Sequence, residues 1–409
     1  MKICFVSRRF YPTISGMSVY ADNLLRELVR MGHSVTMVSQ YRGDDLGRRV
    51  YGGGPPPEVP GVRVIGLESL GEQDGGDFER DIDAMVETIV AEHEDGGPFD
   101  VIHAQYGYPT GLAAMQASRT LGVPNLVSIQ GGDGHWIGSC CGTHKRAMLA
   151  VLGHAGALLI GSRSFAEEVT ENHGTPPERF TVIPNAVDTE RFTPPEKRSR
   201  GEISDEPLLL YHGRVDRRKG VLVLLDAFAE LSGERPLRLA VSGIGPDLDA
   251  VTERVAELGL GDKVDIVGYS PNEAVPSVYR RGEVFVTSTF AEGFSSTILE
   301  AMSTGLPIVS TRAVGVVECL RHEENALLSE VGDAGSLAAE LRRMLDDAAL
   351  REHLAAQGLK EARTLYSWPA IAGRIVDEYR ELVGTRPDTA WSAEGPVEPC
   401  RFRETPHLL

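Results

Sequence analysis

The sequence predicts an α/β protein built from two doubly wound domains, and three observations carry that expectation. At 409 residues the chain is too long for one ordinary core and fits two domains. Short β-branched runs alternate with helical patterns along most of its length, the mark of βαβ units and parallel sheets. The alternation breaks once, at residues 188–207, "DTERFTPPEKRSRGEISDEP", a stretch rich in proline and charge without apolar periodicity that reads as a connector.

The elements follow in order. "KICFVS" opens as a strand, and "MSVYADNLLRELVRMG" then places Val19, Leu24, Leu28 and Met31 at helical spacing before the strand "SVTMVSQ". Further strands are expected at "VRVIGL", "DVIHAQ", "NLVSIQ", "ALLIGS" and "FTVIPN", closing a first domain at residues 1–190. A second series, residues 191–365, has strands at "LLLYHG", "LRLAVSG", "KVDIVG", "VFVTST" and "PIVST", with helices such as "GVLVLLDAFAEL" and "GSLAAELRRMLDD" between them. Two such domains are expected to face each other across a cleft. The amphipathic stretch at 366–384, containing "YSWPAIAGRIVDEYRELV", belongs to neither sheet and is expected to pack back across the first domain. The tail, residues 385–409, has little periodicity and is expected to be poorly ordered or draped on the surface.

Composition narrows the function. Hydrophobic residues at 42% and charged residues at 24% are ordinary for a soluble globular protein, and a net charge of -18 argues against nucleic acid as a partner. The chain starts directly as a strand and carries no apolar run of about 18 residues, so no leader or integral membrane segment is expected; the location read from this is cytoplasmic, the state a monomer or homodimer. Five cysteines, an odd number, fit a reducing compartment, with Cys4 and Cys319 as core residues. "HWIGSCCGTH" groups His135, Cys140, Cys141 and His144, but adjacent cysteines do not match C-x-x-C ligand spacing, and no metal is expected. Between Glu68 and Asp95 eleven carboxylates face Arg80 alone, a pattern that reads as a solvated helical face.

The chemistry is carried by strand-to-helix loops. "YPTISGMSV" follows the first strand, where Gly16 would let a ligand phosphate approach a helix N-terminus; with a single glycine it is not a dinucleotide fingerprint. "SGIGPDLDA" has Gly243 and Gly245 but Leu248 where a third glycine would fall. In "YHGRVDRRKGV", Arg214 and Lys219 lie between a strand and a helix, a bidentate cation and a point charge suited to a diphosphate. "AEGFSSTILEAMSTGLPIVS" places Glu292 before a glycine turn and Glu300 eight residues on in a helix starting near Thr297. Thr297 and Glu300 fit a capping box, which accounts for one carboxylate only. A carboxylate beside an anion site is best used on hydroxyls, and hydroxyls beside a diphosphate mean a nucleotide sugar.

These residues resemble the E-x7-E motif of retaining glycosyltransferases of the GT-B fold, and residues 1–383 look like glycosyltransferase family 4 through "GRVDRRKGV", "VIPNAVD", "AEGFSSTILEAMSTGLPIVST" and the helix containing "YSW". The resemblance implies a GT-B fold with two Rossmann-like domains, the first for the acceptor and the second for the donor. Glu300 would bond the ribose hydroxyls, Glu292 would meet the donor sugar, and Gly293, Phe294, Ser295, Ser296 and Thr297 would offer groups to sugar and phosphate. Arg214 and Lys219 would hold the leaving diphosphate, the Gly16 loop would close on it, and Gly268 and Tyr269 would touch the base. The implied chemistry is front-face displacement with retention: the departing diphosphate takes the acceptor's proton, no cofactor and no enzyme nucleophile are needed, and the substrate is a UDP or GDP sugar.

One departure concerns the usual histidine of T-x-H-G, which here reads "SIQGGDGHW": Gln130 holds that position, able to donate and accept but not to become a cation, with His135 nearby as a substitute. Tyr20, Tyr106, Asp133 and His135 are the candidate acceptor contacts. Residues 1–195 hold 16 basic against 24 acidic side chains, unlike the basic surfaces that suit membrane lipids, so a small soluble acceptor such as a thiol or amine metabolite is favoured. The alternatives are a lipid or polysaccharide acceptor, or a scaffold that has kept the fold without turnover.

Overall fold

The computed structural model describes residues 1–13, 15–196 and 201–406. It divides into two compact units, Met1–Pro184 with Trp368–Leu409, and Asn185–Ser367. Residues 197–200 of the expected connector, Ile14 of the first loop and the last three residues of the tail lie outside the described residues.

The first unit is a seven-stranded sheet of β1 (Lys2–Ser7), β2 (Ser34–Tyr41), β3 (Val62–Glu68), β4 (Val101–Gln105), β5 (Asn125–Ile129), β6 (Ala157–Ile160) and β7 (Phe180–Val182). The order is β3-β2-β1-β4-β5-β6-β7 and every pairing is parallel. β4 and β5, at its centre, are buried at every position, including the polar His103, Gln105, Asn125 and Ser128. The second unit repeats the plan with β8 (Leu208–His212), β9 (Arg238–Ser242), β10 (Val264–Gly268), β11 (Val284–Val286), β12 (Ile308–Thr311) and β13 (Leu327–Ser329), in the order β10-β9-β8-β11-β12-β13. One face of this sheet packs on Leu224, Leu225, Phe228 and Leu231 of the helix Val221–Glu234, and the other on Ile298, Leu299 and Met302 of the helix Ser296–Ser303. Each fully buried side chain of this kind contributes about 1.5–3 kcal/mol. β13 is the strand that sequence patterning did not anticipate.

The helix Trp368–Leu382 belongs to the first unit, as expected. Ile371, Ile375, Tyr379 and Leu382 form its buried stripe, Trp368 stacks edge-on with Tyr20 at 5.3 Å, and the Tyr379 hydroxyl meets His103 Nδ1 at 2.6 Å. His103 Nε2 meets Ser128 Oγ at 2.7 Å, so a buried, neutral imidazole pins the helix to the sheet.

Two expectations need correction. The tail is draped on the first unit but not loosely: Trp391 and Phe402 are buried, Arg403 pairs with Glu79 at 2.5 Å and donates to the Gly76 carbonyl, and Arg8 donates to the Pro406 carbonyl at 3.1 Å. The acidic stretch is not simply a solvated face either. Glu72 is buried and takes Arg8 at 2.8 Å and Arg42 at 3.1 Å, while Asp81 accepts from the backbone N–H groups of Gly71 and Glu72. Arginines offset the cost of burying Glu72, which charge counting along one segment does not register. Among the described residues no helix is long and apolar enough to cross a membrane.

Candidate active site

In the second sheet the strand order reverses between β8 and β11, and ligands of open α/β sheets bind outside the carboxyl ends of strands at such a point. The loops leaving these two strands carry Arg214 and Lys219 on one side and Glu292 to Thr297 on the other. They are locked together: Ser288 Oγ donates to the Gly220 carbonyl at 2.7 Å and Phe290 N to the Arg218 carbonyl at 3.1 Å. Gly220, at φ 71°, permits this, since a Cβ there would collide with the Ser288 carbonyl. As a result Lys219 Nζ lies 2.8 Å from Glu292 Oε1, with both side chains partly open to solvent. Arg214 sits 3.5 Å from Asp216, whose backbone-turn position is held by Arg218 at 2.5 Å. Burial works against the Asp216 charge, yet Arg218 and Arg214 hold it down to about 2, so this carboxylate stays ionised and orients the loop.

Glu292 is fixed through its own backbone, which donates to the Val314 carbonyl at 2.9 Å. Gly315, at φ 75°, packs directly on the Glu292 carbonyl, where any side chain would clash. Phe294 leans on Tyr366 at 5.7 Å. The following helix begins at Ser296, and Ser295 Oγ meets Thr297 Oγ1 at 3.1 Å instead of capping the backbone, which leaves first-turn N–H groups for an anion. Asn185 Nδ2 donates to Ser296 Oγ at 2.6 Å.

The capping-box expectation for Glu300 is overturned. Thr297 lies inside the helix, and Glu300 Oε2 accepts from the Tyr279 hydroxyl at 2.7 Å. Tyr279 is wholly buried and edge-on to His212 at 5.2 Å, so Glu300 sits in poorly solvated surroundings. Burial pushes its carboxyl up to about 7, against the pull of the Tyr279 hydroxyl and Arg191. Gly268, the last residue of β10, at φ 69°, accepts from Gly243 N at 2.8 Å, and Tyr269 beyond it is 54% exposed.

The first sheet reverses order between β1 and β4. Gly16 opens the helix Gly16–Arg30, whose N-cap Ser15 accepts from Ser18 N at 3.2 Å. Gln130 Oε1 accepts from Gln105 Nε2 at 2.8 Å, while Gln105 also donates to the Met17 carbonyl at 3.0 Å and accepts from Ser7 Oγ at 2.8 Å. Gln130 is therefore wired to the start of that helix, a link that a search along the sequence does not show. Tyr106 has φ 88°, a strained value for a residue with a side chain, directly after β4.

The acceptor candidates are otherwise interior. Tyr20 packs on Trp368 and Tyr106 is buried. Asp133 is fully buried and accepts from Gly107 N and Gly131 N, each at 2.8 Å, and from Gln130 N at 3.1 Å. Its carboxylate braces two loops. His135, offered as a substitute for the missing histidine, is buried against Phe165 at 4.4 Å and meets Glu168 Oε1 at 2.8 Å through Nδ1, which favours packing.

Two family models match the chain: "Glycosyl transferase 4-like domain" over residues 15–186 and "Glycosyl transferases group 1" over residues 193–361. The D-inositol 3-phosphate glycosyltransferase of Thermobispora bispora is 27% identical over 90% of this chain and 90% of its own. Among solved structures, sucrose-phosphate synthase from Thermosynechococcus elongatus superposes with a TM-score of 0.76 at 24% identity, covering 93% of this chain and 98% of that one. HepE of Anabaena, crystallised with UDP and glucose, superposes with a TM-score of 0.74 at 18% identity over 93% and 100%. With both halves matched and the whole fold shared, the chain belongs to glycosyltransferase family 4, the retaining nucleotide-sugar glycosyltransferases of the GT-B fold.

Proposed function

We propose that this glycosyltransferase moves a sugar from a UDP- or GDP-type donor, with retention, to a small, soluble, polar acceptor. The observation that carries the donor half is the Lys219–Glu292 pair at the switch point of the second sheet, beside open N–H groups of the helix Ser296–Ser303. A diphosphate entering there competes with Glu292 for Lys219 and takes Arg214 as a second cation. Glu292, released, accepts from sugar hydroxyls, and Glu300 accepts from the ribose.

The acceptor hydroxyl, amine or thiol attacks the anomeric carbon as its bond to the diphosphate breaks on the same face. The departing phosphate oxygen takes the acceptor's proton, and Arg214 and Lys219 stabilise the growing negative charge. Gln130, held by Gln105, offers its amide to the donor sugar. The names of relatives support a small acceptor: one acts on inositol 3-phosphate and another makes sucrose phosphate. The acidic balance of residues 1–195 supports the same reading. The HepE complex supports a uridine donor.

The test is a thermal-shift screen of UDP, GDP and ADP, then proton NMR of the product. A diphosphate that raises the melting temperature and a product with the donor's anomeric configuration are expected. No shift with any of the three refutes the donor site, and an inverted anomeric proton refutes the mechanism.

A further inference from the structure

Cys140 and Cys141 stand immediately before the helix Gly142–His154, His144 lies in its first turn, and Cys400 arrives from the C-terminal segment, 256 positions away. One imidazole nitrogen, His144 Nδ1, faces all three sulfurs: Cys140 Sγ at 3.1 Å, Cys141 Sγ at 3.3 Å and Cys400 Sγ at 3.5 Å. The four atoms all lie within 4.8 Å of one another. Hydrogen bonding does not account for this convergence, because Nδ1 offers one proton or one lone pair and thiols are weak partners. Tetrahedral zinc, with Zn–S near 2.3 Å and Zn–N near 2.0–2.1 Å, would set nitrogen–sulfur edges of about 3.6 Å and sulfur–sulfur edges of about 3.8 Å. The three nitrogen–sulfur distances, 3.1–3.5 Å, stand close to that spacing.

The surroundings are built to hold it. Glu398 accepts from Gly142 N at 2.7 Å and donates its own backbone N–H to Thr143 Oγ1 at 2.8 Å, while Thr143 Oγ1 donates to the Pro396 carbonyl at 3.1 Å. These bonds deliver Cys400 to the helix start. His144 Nε2 is buried with no hydrogen-bond partner among the described residues, and its ring meets Tyr108 edge-on at 4.7 Å. With Nδ1 as ligand, Nε2 keeps the proton.

We propose that Cys140, Cys141, His144 and Cys400 form a closed Cys3His site for Zn2+ that clamps the C-terminal segment onto the first unit. Four protein ligands leave no open position, so the role is structural. Three thiol protons are released on binding, and no oxidant is involved. His135, grouped with these cysteines by sequence proximity, points instead to Glu168, and Cys400 takes its place.

The experiment uses the full chain, purified under reducing conditions without chelator, with zinc measured by elemental mass spectrometry. The wild type and Cys319→Ser are expected to carry close to one zinc per chain, and Cys400→Ser and His144→Asn roughly a tenth of that or less. Stripping with a chelator lowers the melting temperature by several degrees and added Zn2+ restores it. Should the variants fail to fold, Co2+ added to stripped wild type decides: intense visible d–d bands and a near-ultraviolet sulfur-to-cobalt band are expected. Wild type with negligible zinc and no tetrahedral Co2+ spectrum overturns the proposal, as does a disulfide joining Cys400 to Cys140 or Cys141.

Discussion

Replacing Glu300 with glutamine separates what this carboxylate does for the fold from what it does for a ligand. Burial raises it from its ordinary 4.5 to about 7, so the folded chain holds the proton more tightly than the unfolded one. That preference favours folding fully at low pH and is lost as pH rises from 4.5 to about 7, beyond which the ionised group is a constant burden. At about 1.36 kcal/mol per unit, the burden near neutral pH is about 3 kcal/mol. Glutamine removes the charge and keeps an acceptor for the Tyr279 hydroxyl, but adds an amide N–H pair whose burial costs about 1–3 kcal/mol. The balance is a gain of about 1 kcal/mol for the free protein, or roughly 2–4 °C for a unit of this size. Binding moves the other way, since losing charge-assisted bonds to ribose hydroxyls costs about 1.5–3 kcal/mol, a 10- to 100-fold weaker UDP complex. Melting curves at pH 6 and pH 8 with calorimetric titration of UDP check both. A variant that melts earlier at pH 8 and binds UDP like the wild type refutes the reasoning.

Lys219→Met and Arg214→Ala each remove preorganised charge from the leaving group, so kcat/KM should fall by about 2–4 kcal/mol in steady-state kinetics. Their melting temperatures should hardly change, because partly exposed pairs contribute under about 1 kcal/mol. Tyr379→Phe strips His103 Nδ1 of its partner in a buried setting and should cost about 1–3 kcal/mol in denaturant melts, without altering UDP affinity. Gln130→His should change turnover by no more than a few-fold, since neutral imidazole can also accept from Gln105; a gain of about a hundredfold, 2.7 kcal/mol, would mark the natural site as handicapped.

Most of the sheet strands were legible because they are short runs rich in β-branched and apolar residues, bounded by polar or glycine residues. β13 escaped because Leu327 to Ser329 hold no β-branched or aromatic residue, the composition that marked the equally short β7 and β11. The tail escaped for a different reason. Its order comes from isolated anchors, Trp391, Phe402 and Arg403, each matched to a distant partner, and a pattern that does not repeat is invisible to a method that looks for repeats.

The same distinction runs through the site. Arg214, Lys219 and Glu292 could be read from the chain because each lies directly beyond a strand, where topology itself delivers side chains to the sheet edge. Tyr279 beneath Glu300 and Gln105 behind Gln130 could not, since each pairing is made by packing between segments. The ion pair of Lys219 and Glu292 also resolves the awkwardness of a carboxylate beside an anion site. Without donor, each neutralises the other, and so neither drives the loops apart. Because both are partly exposed, the pair contributes under about 1 kcal/mol, so under the proposed function a diphosphate with Arg214 as second cation would outcompete it. On the proposed function that exchange would free Glu292 as the sugar arrives, so the ion pair that holds the ligand-free loops would also prepare the carboxylate for the sugar's hydroxyls.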